Sequence, residues 1–174
     1  TKIPFSGDIP SPRDKSGYAV LPNNRLVMFG GFGPQEIELE DGEEETATFG
    51  WFNDTFTFDS ATNKWTLLEC SGDFPTPRAA AGVSLVNRPK QIRDQMAEDG
   101  DDKTPVDFVE EGEPQAYLYV MGGRDNQGSR TNDVFSLELA TRTWQKQICR
   151  GAAPVGRSFH TCTTIQDKLI VFGG

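Results

Sequence analysis

The chain has 174 residues, with 17 Lys plus Arg against 26 Asp plus Glu, and a formal net charge of -9. That is enough chain for one real core, while no run approaches the roughly 18 apolar residues of a spanning helix. The opening TKIPFSGDIPSPR lacks the basic segment and apolar block of a secretory signal, and the acidic total argues against nucleic acid, so neither a membrane nor a nucleic-acid partner is expected.

In chain order, a link phrase SGDIPSPR ending at Arg13 leads into the run GYAVLP, a tight turn at Asn23-Asn24, and the run RLVMFG closing on Gly30-Gly31. After an acidic stretch come Asn53-Asp54, DTFTFD and KWTLLE with Trp65, then Cys70 and a second link, SGDFPTPR, ending at Arg78. The same succession returns. AYLYVMGG closes on Gly122-Gly123, Asn132-Asp133 opens NDVFSLELATRTW with Trp144, and Cys149 precedes a third link, RGAAPVGR, ending at Arg157. A turn at Gln166-Asp167 and the run KLIVFGG, closing on Gly173-Gly174, complete the chain. The runs are short, rich in β-branched and aromatic residues, and bounded by Gly, Pro, Asn or Asp, so each reads as a strand. The Asn and Asp turns suit the left-handed conformations of hairpins.

Two insertions hide the period. Residues 36–48 hold seven acids and no base, and residues 87–115 hold nine acids and four bases, which leaves the remaining chain at +3. High charge with few aromatics predicts that neither insertion packs into a core. With them removed, a unit of roughly 50 residues occurs twice, followed by half of a third. The reading is an all-β chain of four-stranded antiparallel blades: blade 1 at 13–69 with insertion 36–48, blade 2 at 78–149 with insertion 87–115, and half of blade 3 at 157–174. About two and a half blades leave strand edges open, which predicts a partial ring completed by further blades of a longer chain or of another chain.

The double glycine after an apolar strand, the Asn-Asp pair, the Asp59-x-x-Thr62-x-x-Trp65 phrase (partly kept at Thr141 and Trp144) and the Pro-x-Arg step resemble kelch repeats. The likeness is greatest to the branch with a G-x-x-P-x-x-R phrase between repeats. Gly156 departs from it where Pro stands elsewhere before the Arg. Gly30, Gly31, Gly122, Gly123, Gly173, Gly174, Trp65, Trp144, Asn53, Asp54, Asn132 and Asp133 recur with the blades and are expected to serve the fold.

In an antiparallel meander the links share an end with the loops after each double glycine. The resemblance implies that partner proteins dock there, on Arg and Ser side chains. The candidate partner-binding residues are therefore Arg13, Arg78, Arg157, Ser158, Arg124, Asp125, Asn126 and Arg130, Arg being a planar fork that holds a carboxylate bidentately. The alternative is that each repeated Arg hydrogen-bonds backbone in its own blade. Insertion 36–48 emerges at the same end and is expected to compete there with an acidic partner, while insertion 87–115 emerges at the other.

The expected role is a protein-interaction module or scaffold with a protein or peptide ligand and no cofactor. Two further readings stand beside it: a metal-assisted enzyme of the nitrile-specifier kind, and a structural blade array in a larger assembly. The copper radical oxidases that share the kelch resemblance need two His, and this chain has one, His160; no carboxylate spacing selects a metal. The three cysteines, without a C-x-x-C pair, form no disulfide framework or zinc signature, and Cys70 and Cys149, each five residues after its Trp, read as small buried apolar groups. A reducing compartment, cytoplasmic or nuclear, is expected.

Overall fold

The computed structural model describes residues 4–21, 24–35, 48–88 and 115–174. Most of the two insertions lies outside these residues. Every regular element among them is a strand: β1 (Ser6–Gly7), β2 (Gly17–Leu21), β3 (Arg25–Gln35), β4 (Thr48–Asp59), β5 (Lys64–Leu67), β6 (Ser71–Gly72), β7 (Arg78–Ala79), β8 (Gly82–Arg88), β9 (Gln115–Asp125), β10 (Arg130–Glu138), β11 (Thr143–Lys146), β12 (Thr161–Ile165) and β13 (Lys168–Phe172).

β2, β3, β4 and β5 form one antiparallel meander, β8, β9, β10 and β11 form a second, and β12 with β13 form the first hairpin of a third. Each sheet of four strands carries a short parallel addition. β1 runs beside β5 (Ser6 opposite Lys64, Gly7 opposite Trp65), and β6 runs beside β11 (Ser71 opposite Thr143, Gly72 opposite Trp144). The Ser-Gly-Asp phrase of the first and second links thus closes the last strand of the blade it is about to enter. An edge that would otherwise present unpaired amides is partly covered.

The first two blades share one core. Val27 and Phe29 from β3 meet Leu118, Val120, Phe135, Leu137 and Trp144 from the second sheet, all of them buried. Phe29 and Trp144 pack edge to face with ring centroids 5.2 Å apart, so the repeated Trp of one blade seats against the second strand of its neighbour. Trp65 lies against Phe56 and Phe58 of its own sheet. Cys70 packs against this core; Cys149, its repeat equivalent, is exposed in this chain. Burial pushes the thiols of Cys70 and Cys162 up.

The strands around the first insertion are longer than the sequence pattern predicts. β3 and β4 continue past Gly31 through the pairs Phe32–Trp51, Gly33–Gly50, Pro34–Phe49 and Gln35–Thr48. In the second blade, β9 ends at Asp125 and β10 begins at Arg130, so the corresponding hairpin is short. A two-stranded ribbon therefore stands out from one end of the first blade.

Candidate docking face

The links and the strand ends beyond each double glycine come together at one end of the blades. Asp14 and Phe32 exchange both backbone hydrogen bonds, at 2.8 and 2.9 Å, and β7 pairs with the end of β9 through Arg78–Asp125 and Ala79–Arg124. The amide of Gly123 donates to the Arg157 carbonyl at 2.8 Å.

The repeated arginines lie beneath this surface. Arg78 has no exposed side-chain area. Its Nη1 donates to the Gly122 carbonyl at 2.9 Å, to Thr131 Oγ1 at 3.1 Å and to Asp133 Oδ1 at 2.6 Å, while Nη2 donates to Asp133 Oδ2 at 3.1 Å and Thr76 Oγ1 at 2.9 Å. Burial alone would push the Asp133 carboxyl up, but the Arg78 hydrogen bonds and charge outweigh it and hold the group below its ordinary value. Arg13 repeats the arrangement: it donates to Asp54, to the Gly30 carbonyl at 3.4 Å and to Ser11, its guanidinium 3.7 Å above the Phe52 ring, with 5% of its side chain exposed. Arg157 donates to the Gly173 carbonyl at 2.8 Å and is half-buried. In all three repeats the Arg reads the carbonyl of a double glycine.

Arg13 and Arg78 therefore have to be withdrawn as docking residues, because their donors are spent inside the blade. Ser158, 4% exposed, is withdrawn for its burial. Asp125, 8% exposed, is withdrawn too, its Oδ1 accepting from the amides of Gln127 at 3.0 Å and Ser129 at 2.8 Å. Asn126 is exposed, and its backbone amide donates to the Pro77 carbonyl at 3.1 Å.

Beside Asn126 and the half-buried Arg157, two arginines remain at the surface. Arg124 and Arg130 stand directly opposite one another across β9 and β10, both exposed. Neither side chain has an acidic partner among the described residues, where the ion pairs are Arg13–Asp54, Lys15–Asp14 and Arg78–Asp133. Like charges facing each other across a ladder are unfavourable unless an anion joins them. At the equivalent place in the first blade, immediately after its double glycine, the cross-strand pair is Phe32 and Trp51, ring centroids 4.8 Å apart.

A second row lies beside these pairs. The residue two after each repeated Arg, which is Lys15, Ala80 or Phe159, adopts the same left-handed conformation, with φ of 55°, 54° and 61°. The Ala80 amide donates to the Lys15 carbonyl at 2.8 Å and the Phe159 amide to the Ala80 carbonyl at 2.9 Å, so a hydrogen-bond chain crosses from blade to blade. The two rows enclose a cavity of about 130 Å³ lined by Lys15, Phe32, Trp51, Ala79, Ala80, Arg124 and Phe159. Of these only Arg124 was a candidate from sequence. The others sit at repeat positions whose residue type changes from copy to copy, and that variation was the available signal.

His160 is 7% exposed and lies between the second and third blades, where its Nε2 accepts from the Gly82 amide at 3.2 Å. Burial pushes its pKa down, with the Arg157 charge acting the same way and the Met121 backbone opposing. Among the described residues no group of three His, Cys, Asp or Glu side chains could hold a metal ion.

Residues 109–174 match the KLHDC2/KLHL20/DRC7 Kelch-repeats domain. The chain is 33% identical over 181 residues to Kelch domain-containing protein 1 of Mus musculus, covering 98% of this chain and 37% of that protein. It is 30% identical to Kelch domain-containing protein 2 of Bos taurus, covering 99% and 38%, and 27% identical to Host cell factor 1 of Rattus norvegicus, covering 99% and 7%. The solved structure of YjhT superposes with a TM-score of 0.53 at 18% identity, over 91% of this chain and 44% of that one, a likeness of fold alone. The chain thus spans well under half the length of these relatives.

Proposed function

From the premise that this chain belongs to the kelch-repeat family, we propose that it is a protein-interaction module whose docking surface is the end of the blades bearing Arg124 and Arg130. The partner is a protein segment that brings a carboxylate to that pair.

The observation that carries the reading is the cross-strand arginine pair, two exposed arginines directly opposite one another in the ladder with no acid paired to them among the described residues. Such a pair is repulsive until an anion bridges it, and each fork matches a carboxylate in two parallel hydrogen bonds. Lys15 is the second cation of the cavity that Arg124 lines, partly neutralised by Asp14 at 2.6 Å. The surface is raised on a rigid base, because the buried Arg13 and Arg78 lock the double-glycine turns from beneath.

An array of acidic peptides probed with the wild-type chain and with an Arg124→Ala/Arg130→Ala double variant tests this. Peptides held by the wild type and lost by a normally folded double variant are the expected result. Equal binding by both proteins would refute the assignment.

A further inference from the structure

The cavity beside Arg124 is open because of one residue. In the row of left-handed positions two after each repeated Arg, the neighbours carry Lys15 and Phe159, and the middle one is Ala80. Ala79 and Ala80 form the floor of the cavity, and Phe32, Trp51 and Phe159 stand around it, with Lys15 and Arg124 also at its wall. Phe159 is 68% exposed and Phe49, stacked on Phe32 with centroids 6.0 Å apart, is 61% exposed. Exposed aromatic area of this kind is unfavourable in water unless it is covered.

We propose that this cavity is an apolar side-chain subsite, and that the segment docking on Arg124 and Arg130 places a bulky apolar residue into it beside its carboxylates. The inference rests on the docking reading above and adds the class of partner sequence: an acidic segment interrupted by Leu, Met or an aromatic residue. Charge fixes the acidic part. Arg124 and Lys15 line the cavity and Arg130 stands opposite Arg124 in the ladder, while among the described residues Asp54 is engaged with Arg13, Asp133 with Arg78, Asp14 with Lys15 and Asp125 with backbone amides. Geometry fixes the apolar part. The Phe32–Trp51 pair occupies in the first blade the register position that Arg124–Arg130 occupies in the second, so a segment crossing from one blade to the next passes from an aromatic pair to a cationic one.

Lys15 and Phe159 show that a large side chain is accommodated in the Ala80 conformation, so Ala80→Phe closes the cavity without disturbing either arginine. Fluorescein-labelled peptides Glu-Glu-X-Glu-Glu, with X as Leu, Phe or Ala, are titrated against the whole chain by fluorescence anisotropy at low salt. In the wild type, X as Leu or Phe binds about tenfold tighter than X as Ala. Ala80→Phe, and separately Trp51→Ala, abolish that preference while binding stays dependent on glutamate. Salt-sensitive binding with no difference between Leu and Ala overturns the subsite and leaves the docking reading standing. No binding of any of these peptides, or binding untouched by Arg124→Ala/Arg130→Ala, overturns both.

Discussion

The Phe159 amide donates to the Ala80 carbonyl at 2.9 Å, one blade on from the 2.8 Å bond between the Ala80 amide and the Lys15 carbonyl. Each donor and acceptor belongs to a residue held at positive φ, a conformation that costs an L-residue about 1–2 kcal/mol. The strain recurs at the same position of all three repeats. Conformation is constant along this row while residue type is free to vary.

Ala80 is the most direct test of that chain. Ala80→Gly relieves the left-handed strain at the cost of extra unfolded-state entropy, so its stability is expected to equal or exceed the wild type by up to about 1 kcal/mol. Ala80→Pro fixes φ near -65° and removes the donor to Lys15, and is expected to lose about 3 kcal/mol. Urea unfolding compares them. Equal stability of the two variants would remove the argument for the hydrogen-bond chain.

Arg78 and Arg124 separate the structural arginines from the surface ones. Arg78→Ala strands Asp133 without its partner and empties a buried site, and is expected to destabilise by about 3 kcal/mol, the lower end for a buried pair because Asp133 is itself 23% exposed. Arg124→Ala is expected to stay within about 0.5 kcal/mol of the wild type. Thermal unfolding of both variants reads the contrast, and a similar midpoint for the two would contradict the buried role.

The repeat made both kinds of Arg visible in sequence, yet repetition itself pointed to the fold. Arg13, Arg78 and Arg157 recur because each double-glycine turn offers a carbonyl that needs a donor. The residues around the cavity repeat in position only: Lys15, Ala80 and Phe159 share a φ, and Phe32–Trp51 and Arg124–Arg130 share a register. A search for identical residues passes over them. The ribbon is hidden in the sequence because the acidic run 36–48 dominates composition there, although Phe49 and Trp51 alternate with Gly50 at strand period just beyond it. Blades, strand order and the Trp contact were legible because a four-strand unit leaves few ways to bury its apolar runs.

His160 predicts a pH dependence whose sign follows from its burial. Its folded pKa is lowered, so the folded state binds fewer protons than the unfolded one, and stability rises with pH across the interval between the two values. The contribution is complete above the unfolded value of about 6.5 and is lost as pH falls from there through the folded value. Protonation also removes the Nε2 acceptor of the Gly82 amide. The wild-type melting temperature is expected to drop between neutral and mildly acidic pH, and the drop to shrink in His160→Gln. A His160→Gln profile parallel to the wild type would assign the dependence elsewhere. Asp133, lowered by Arg78, acts in a separate and more acidic window: its contribution is complete above about 3.9 and fades as pH falls below that.

The link glycines supply the last contrast. Gly72 lies at φ 89°, and a Cβ there would come 2.2 Å from the Trp144 carbonyl oxygen, because β6 runs tight against β11. Gly151, its repeat equivalent, has φ 86° with nothing within 4 Å of an added Cβ. Both Gly→Ala changes share the cost of a positive φ, about 1–2 kcal/mol, but only Gly72→Ala must also push two strands apart. In this chain Gly72→Ala is therefore expected to exceed Gly151→Ala by more than about 1 kcal/mol in urea unfolding, and to loosen the β6–β11 pairing, read as faster hydrogen exchange at the Asp73 amide that donates to Trp144 at 2.9 Å. Equal losses at the two glycines would mean that the link lies less tightly on the blade edge, and that the backbone conformation alone sets the requirement for glycine.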